Sequence, residues 1–156
     1  MWPKLYTMQQ TYQDIAGGMR PWTALGDFMN YFFGYTPDQR TALVDAALQE
    51  PEHPSAEQHR WAVFCAAAVE YLCSTYDIAC PAWVNDALYG PLPDPWFEAL
   101  GAEKPQVQAR LRRETPEPFA RRNIFCGNRV FANKYELAKQ VHQRRSASVL
   151  PITQPH

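Results

Sequence analysis

The chain has 156 residues, of which 46% are hydrophobic and 20% charged, with a formal net charge of −1. That length fits one domain whose core closes without disulfides or metal, and no apolar run approaches the roughly 18 residues of a membrane-spanning helix. The near-neutral total conceals a split: residues 1–100 carry 12 acidic against 4 basic side chains, and residues 101–156 carry 4 acidic against 11 basic ones. Charge segregated in this way points to a contact with an acidic partner, with nucleic acid, or with the chain's own other half.

Met1-Trp2-Pro3-Lys4-Leu5 has none of the long apolar stretch of a secretory leader, so the expected location is the cytoplasm. Residues 3–16 read as a first helix with Leu5, Met8, Tyr12 and Ile15 on one stripe, stopped by Gly17-Gly18. Pro21 suits the first turn of a second helix. Its apolar face is Trp22, Leu25, Met29 and Phe32, widened by Phe28 and Phe33, with Gly34 as the residue just past its end. Thr36-Pro37-Asp38-Gln39 has the form of a capping box and opens a third helix to about Glu50.

Ser55-Ala56-Glu57-Gln58 is a second capping box, and the helix that it opens runs to about Tyr76. From Trp61 to Cys73 only Glu70 is charged. A helix apolar nearly all round packs on several sides, so this one is expected to be the hub. Residues 77–101 are broken by Pro81, Gly90, Pro91, Pro93, Pro95 and Gly101, and are interleaved with Trp83, Tyr89, Trp96 and Phe97. This connector is expected to drape over the hub and close the core.

A short helix follows from Pro105 to about Arg113. Thr115 is placed to cap another, with Pro116 at its first position and Pro118 at its third, ending by Asn123. Ile124-Phe125-Cys126 is the one plausible extended piece. Asn133-Lys134-Tyr135-Glu136 resembles a capping box for a last helix to about Arg145. Residues 146–156 lack periodicity and read as a flexible tail. The expected architecture is all-α: a compact bundle of five to seven helices over residues 1–145 with a proline- and aromatic-rich connector. Trp83, Trp96, Phe97, Phe119, Ile124 and Phe125 are expected to form a structural seam that holds the C-terminal segment to the bundle.

The chemistry-bearing residues are few. Cys65, Cys73, Cys80 and Cys126 form no C-x-x-C pair and read as reduced thiols acting as small hydrophobes. The histidines fall at no ligand spacing near them, so no metal is expected. Cys126 stands close to several arginines, which lower a thiol pKa, yet no histidine is placed as its base. Asp86 with Asp94 and Glu114 with Glu117 are carboxylate pairs whose simpler role is to cap turns and helix starts. No phosphate-binding glycine motif is present, so no nucleotide cofactor is expected.

The basic cluster remains. Arginine outnumbers lysine eight to three after residue 100, and arginine favours bidentate contact with carboxylate or phosphate. Phe119, Phe125, Phe131 and Tyr135 interleave with it, either as core or as stacking rings. The arginines either pair with the acidic first hundred residues or face outward. In the outward reading Arg121, Arg122, Arg129, Lys134, Arg144 and Arg145 contact an acidic protein partner. Nucleic acid is the alternative ligand, with Lys139 added to the set.

Three segments carry a family resemblance: Trp22-Thr23-Ala24-Leu25-Gly26-Asp27-Phe28; Pro81-Ala82-Trp83-Val84 followed by Leu92-Pro93-Asp94-Pro95-Trp96-Phe97; and Thr115-Pro116-Glu117-Pro118-Phe119-Ala120-Arg121-Arg122-Asn123-Ile124-Phe125. Their order over about residues 20–130 resembles a group of small bacterial all-helical proteins with P-x-W, P-x-P-W-F and P-x-x-F-x-x-R-N-I-F segments. Members of that group are often encoded near nucleotidyltransferase-like toxin genes and have no catalytic residues to carry over. The resemblance implies a non-enzymatic companion or antitoxin-like role in a bacterial cell.

Overall fold

Residues 5–132 are described by a computed structural model. The last predicted helix, the tail, and Lys134, Lys139, Arg144 and Arg145 lie outside these residues. Helix α1 spans Met8–Ala16, α2 Pro21–Asn30, α3 Arg40–Val44, α4 Ala56–Thr75, α5 Pro105–Glu114 and α6 Glu117–Ala120. Two-residue strands β1 (Trp96–Phe97) and β2 (Ile124–Phe125) pair in parallel, Trp96 opposite Ile124 and Phe97 opposite Phe125. The fold is mostly helical, and no described helix is long and apolar enough to cross a membrane.

The hub is α4. Its start follows from the Ser55 capping box: Ser55 Oγ accepts from the Gln58 amide at 3.0 Å, and Gln58 Oε1 accepts from the Ser55 amide at 2.9 Å. Gln58 also donates to the Ala16 carbonyl at the end of α1 (3.0 Å), and Tyr12 of α1 donates its hydroxyl to the Gln58 carbonyl (2.9 Å). One glutamine thus starts one helix and ties down the end of another. Every residue from Trp61 to Val69 is buried. Phe64 lies at the centre, with Trp22, Trp61, Trp96, Phe119 and Phe131 at ring distances of 5.6, 5.1, 6.0, 5.2 and 6.1 Å.

Both helix ends that flank the hub close with left-handed residues. After α1, Gly18 (φ 111°) sits where the Met19 amide returns to the Asp14 carbonyl and its own amide to Ile15. After α4 the same role falls to Asp77 (φ 54°), and the Ile78 amide returns to the Cys73 carbonyl.

Several local expectations are corrected. The first helix begins at Met8, because Thr7 caps it by accepting from the Gln10 amide at 3.1 Å. Gly34 does not end α2: the chain continues as a wider π-turn over Tyr31–Tyr35. Within α2, Ala24, Leu25 and Phe28 are buried, whereas Trp22 lies at the rim and donates its indole N–H to Glu98.

The Thr36 capping box does not form. The Thr36 hydroxyl instead donates back to the Tyr31 carbonyl at 3.0 Å, closing the π-turn. Helix α3 then stops at Val44, short of Glu50. A continuing helix would offer the Val44 carbonyl to the amide four residues on; here it accepts the Trp83 indole at 3.0 Å. Finally, Thr115 does not cap α6. Pro116 holds that position, and the Thr115 hydroxyl accepts from the Gly127 amide at 2.8 Å.

Candidate functional site: an arginine clamp and an open basic face

The R-N-I-F segment lies at the end of α6, where it meets both the connector and the hub. Arg122 is only 3% exposed. Its Nε donates to the Tyr89 carbonyl (2.9 Å), one Nη to Val84 (3.1 Å) and the other to Pro118 (2.7 Å), and that last nitrogen also lies 3.1 Å from Glu70 of α4. A planar guanidinium holds five donors in a fixed fork that reaches acceptors on several segments, a geometry that the compact ammonium of lysine does not match. Asn123 extends the clamp. Its left-handed backbone (φ 68°), a conformation that Asn tolerates, turns its side chain to donate to the Leu92 carbonyl at 3.0 Å. The Leu92 amide returns to the Arg122 carbonyl, and the Trp96 amide to that of Asn123.

Arg121 faces the other side of Glu70, with both terminal nitrogens on the two carboxylate oxygens. Burial alone pushes the Glu70 carboxyl up, but the hydrogen bonds and charges of Arg121 and Arg122 outweigh it and hold the group below its ordinary value. The two arginines shift in opposite directions. Burial lowers Arg122, whereas the hydrogen bond to Glu70 raises the more exposed Arg121.

These contacts correct the placement of Arg122 among surface residues: its donors are engaged inside the fold, and Arg121 shares its carboxylate. Of the proposed partner-binding set within the described residues, Arg129 faces outward. The stacking role considered for the phenylalanines also meets burial, since Phe119, Phe125 and Phe131 are 0%, 7% and 3% exposed.

Four of the expected seam residues, Trp96, Phe97, Ile124 and Phe125, form the strand pair. Trp96 packs edge-on against Trp61 at 4.9 Å, and Phe97 stacks on Phe125 at 5.2 Å. Arg112 of α5 covers that stacked pair, 5.0 and 4.7 Å from the two ring centres. Phe119 and Ile124 are fully buried, and Trp83 meets Tyr89 edge-on at 5.7 Å.

The open basic face lies beside the seam. Arg110, Glu114 and Arg129 line a cavity of about 420 Å³ with Leu111, Cys126 and Gly127. Arg110 and Glu114 approach to only 3.9 Å, and both are substantially exposed, so that pair is weak. The side chains of Arg113 and Arg129 make no hydrogen bond or ion pair among the described residues. Gly127 is left-handed (φ 81°), and a Cβ there would already touch Leu111 at 3.4 Å, which suits glycine at this turn.

The thiol in this cavity is not activated by its arginine neighbours. Burial pushes Cys126 up to about 12, and its Sγ donates to the Gly127 carbonyl, so at neutral pH it is a protonated thiol. Cys65 and Cys73 are likewise buried and shifted upward, whereas Cys80 is exposed. Of the carboxylate pairs, Asp86 accepts from the Leu88 amide as a turn cap, and Glu114 faces Arg110.

The architecture is that of a mostly helical fold in which a short parallel strand pair and one buried arginine fasten a proline-rich connector to a central helix. No family model, curated protein or solved structure matches the chain.

Proposed function

We propose that the protein is a non-enzymatic interaction module, an antitoxin-like companion that binds an acidic surface of a neighbour-encoded protein through α5 and the turn at residues 127–129. The observation that carries this reading is the pair of unmatched guanidinium groups, Arg113 and Arg129, beside the weakly paired Arg110 and the 420 Å³ cavity. Exposed arginines with no carboxylate partner among the described residues keep their capacity for bidentate recognition of a partner's Asp and Glu. The companion role comes from the family resemblance of the three sequence segments, and the direction of charge complementarity comes from this face.

The experiment is capture of the tagged full chain from its native cell, followed by reconstitution with the captured protein. A stoichiometric partner whose affinity drops at least about tenfold with Arg113→Glu plus Arg129→Glu supports the reading. A chain that emerges alone, or a complex indifferent to the double reversal, overturns it. Nucleic acid remains the competing ligand for the same arginines. It is distinguished by binding to a short single strand that weakens steeply with salt, although the burial of Phe119, Phe125 and Phe131 leaves those rings no base to stack on.

A further inference from the structure

Arg60, in the second turn of α4, stands apart from both arginine groups. Its guanidinium lies over the face of Trp96, 4.4 Å from the ring centre. Its Nε is buried with no hydrogen-bond partner, and the side chain makes no ion pair among the described residues. A buried guanidinium nitrogen has lost its water and normally has an acceptor in exchange.

The same side chain lines a cavity of about 270 Å³ whose other walls include Leu92, Pro93, Pro95 and Trp96. The nearest competing charges do not neutralise it. His59, also at the cavity, is held by Glu50 at 3.1 Å, and the exposed Asp94, which lines the cavity too, makes no ion pair among the described residues.

We infer that this cavity binds a small organic carboxylate with an apolar body, its carboxylate on the two terminal Nη nitrogens of Arg60 and its body against Leu92, Pro93, Pro95 and Trp96. A mostly apolar cleft with a few placed polar groups is the usual build of a small-ligand site, and a cavity of about 270 Å³ admits only a small occupant. Arginine supplies parallel donors at the spacing of the two carboxylate oxygens. The tryptophan beneath it fixes the plane of the fork and excludes water from one side. Two sources present this chemistry: a free arylalkyl or alkyl acid, and the C-terminal residue of a peptide chain. The inference is independent of the α5 face, which lies on other residues.

The test uses the full ¹⁵N-labelled chain and 3-phenylpropionate. Saturable shifts of the Trp96 indole N–H and of amides in 56–60 and 92–96 are expected. The neutral analogue 3-phenyl-1-propanol should bind at least roughly tenfold more weakly, the minimum that a lost charge-assisted hydrogen bond implies. Arg60→Gln should lose a similar factor, and Arg60→Lys should recover only part of it. A tripeptide ending in phenylalanine, compared with its C-terminal amide, separates the sources. Tighter binding of the free-ended peptide than of 3-phenylpropionate assigns a chain terminus, and weaker binding assigns a free acid. Absence of saturation up to about 10 mM, equal binding of acid and alcohol, or shifts mapping elsewhere would overturn the site. The acid–alcohol comparison needs no variant, so it decides the matter even where Arg60→Gln fails to fold.

Discussion

Arg122 and Arg113 belong to the same basic stretch and have opposite roles. Arg122 is buried against three carbonyls and a carboxylate; Arg113 has no partner among the described residues. Residue type does not separate them, and neither does local sequence, since each is the second of an Arg-Arg pair. What separates them is what lies opposite. Arg122 faces the connector, whose turns at Val84 and Tyr89 present carbonyls without helical partners. Arg113 is on the outer side of a helix whose single buried residue is Leu111. Of these two, Arg122 is structural because irregular backbone surrounds it, and Arg113 is available because a regular helix displays it.

The largest effect that would break this contrast is at the clamp. Arg122→Ala leaves three carbonyls and Glu70 without their donor, and should lower unfolding stability by about 3–5 kcal/mol, measured by urea titration. Arg122→Lys should recover little of it. Glu70→Ala should cost about 3 kcal/mol, because it leaves a buried cation uncompensated.

The Glu70 pair also has a pH signature. Its folded-state value lies below the ordinary 4.5. Its contribution is therefore fully present above that value and is lost as pH falls through the lower folded value. The stability gap between the native chain and Glu70→Gln should narrow in acid; a gap that stays constant down to pH about 3 would contradict the pairing.

Ser55→Ala should cost about 1 kcal/mol as a lost helix cap. Smaller still is Asp77→Gly, expected to raise stability by roughly 0.5 kcal/mol by relieving a left-handed non-glycine residue. Arg113→Ala and Arg129→Ala should leave the melting curve within about 0.5 kcal/mol of native. Their effect belongs in partner binding, and a large loss of stability in either would remove the distinction between the two arginine groups.

How far the sequence disclosed this follows from the range of each interaction. The α4 helix was readable because its signals are local: Ser55 and Gln58 are three residues apart, and the apolar run follows directly. Thr36 and Gln39 have the same spacing, yet the Thr36 hydroxyl is drawn to a carbonyl five residues upstream. Nothing in the four-residue pattern indicates that the preceding helix will widen. The end of α3 was hidden because it depends on Trp83, 39 residues away. The clamp was hidden for the same reason: Arg122 reads as one more cation until Tyr89 and Val84, 33 and 38 residues distant, are placed beside it. The aromatic residues of the connector and of 119–125 were legible as a seam because bulky rings at proline-punctuated positions need a surface to cover. Their parallel pairing was not, since two-residue strands leave no alternating pattern.

The parallel pairing of β1 and β2 has a consequence for the order in which the protein can be made. Trp96 and Phe97 emerge from the ribosome well before Ile124 and Phe125, and in between come α5, α6 and the clamp itself. Until residue 125 has cleared the exit tunnel, β1 has no strand to pair with, and Val84 and Tyr89 have no guanidinium to receive. The strand pair and the clamp therefore close together, and only once residues 122–125 have emerged.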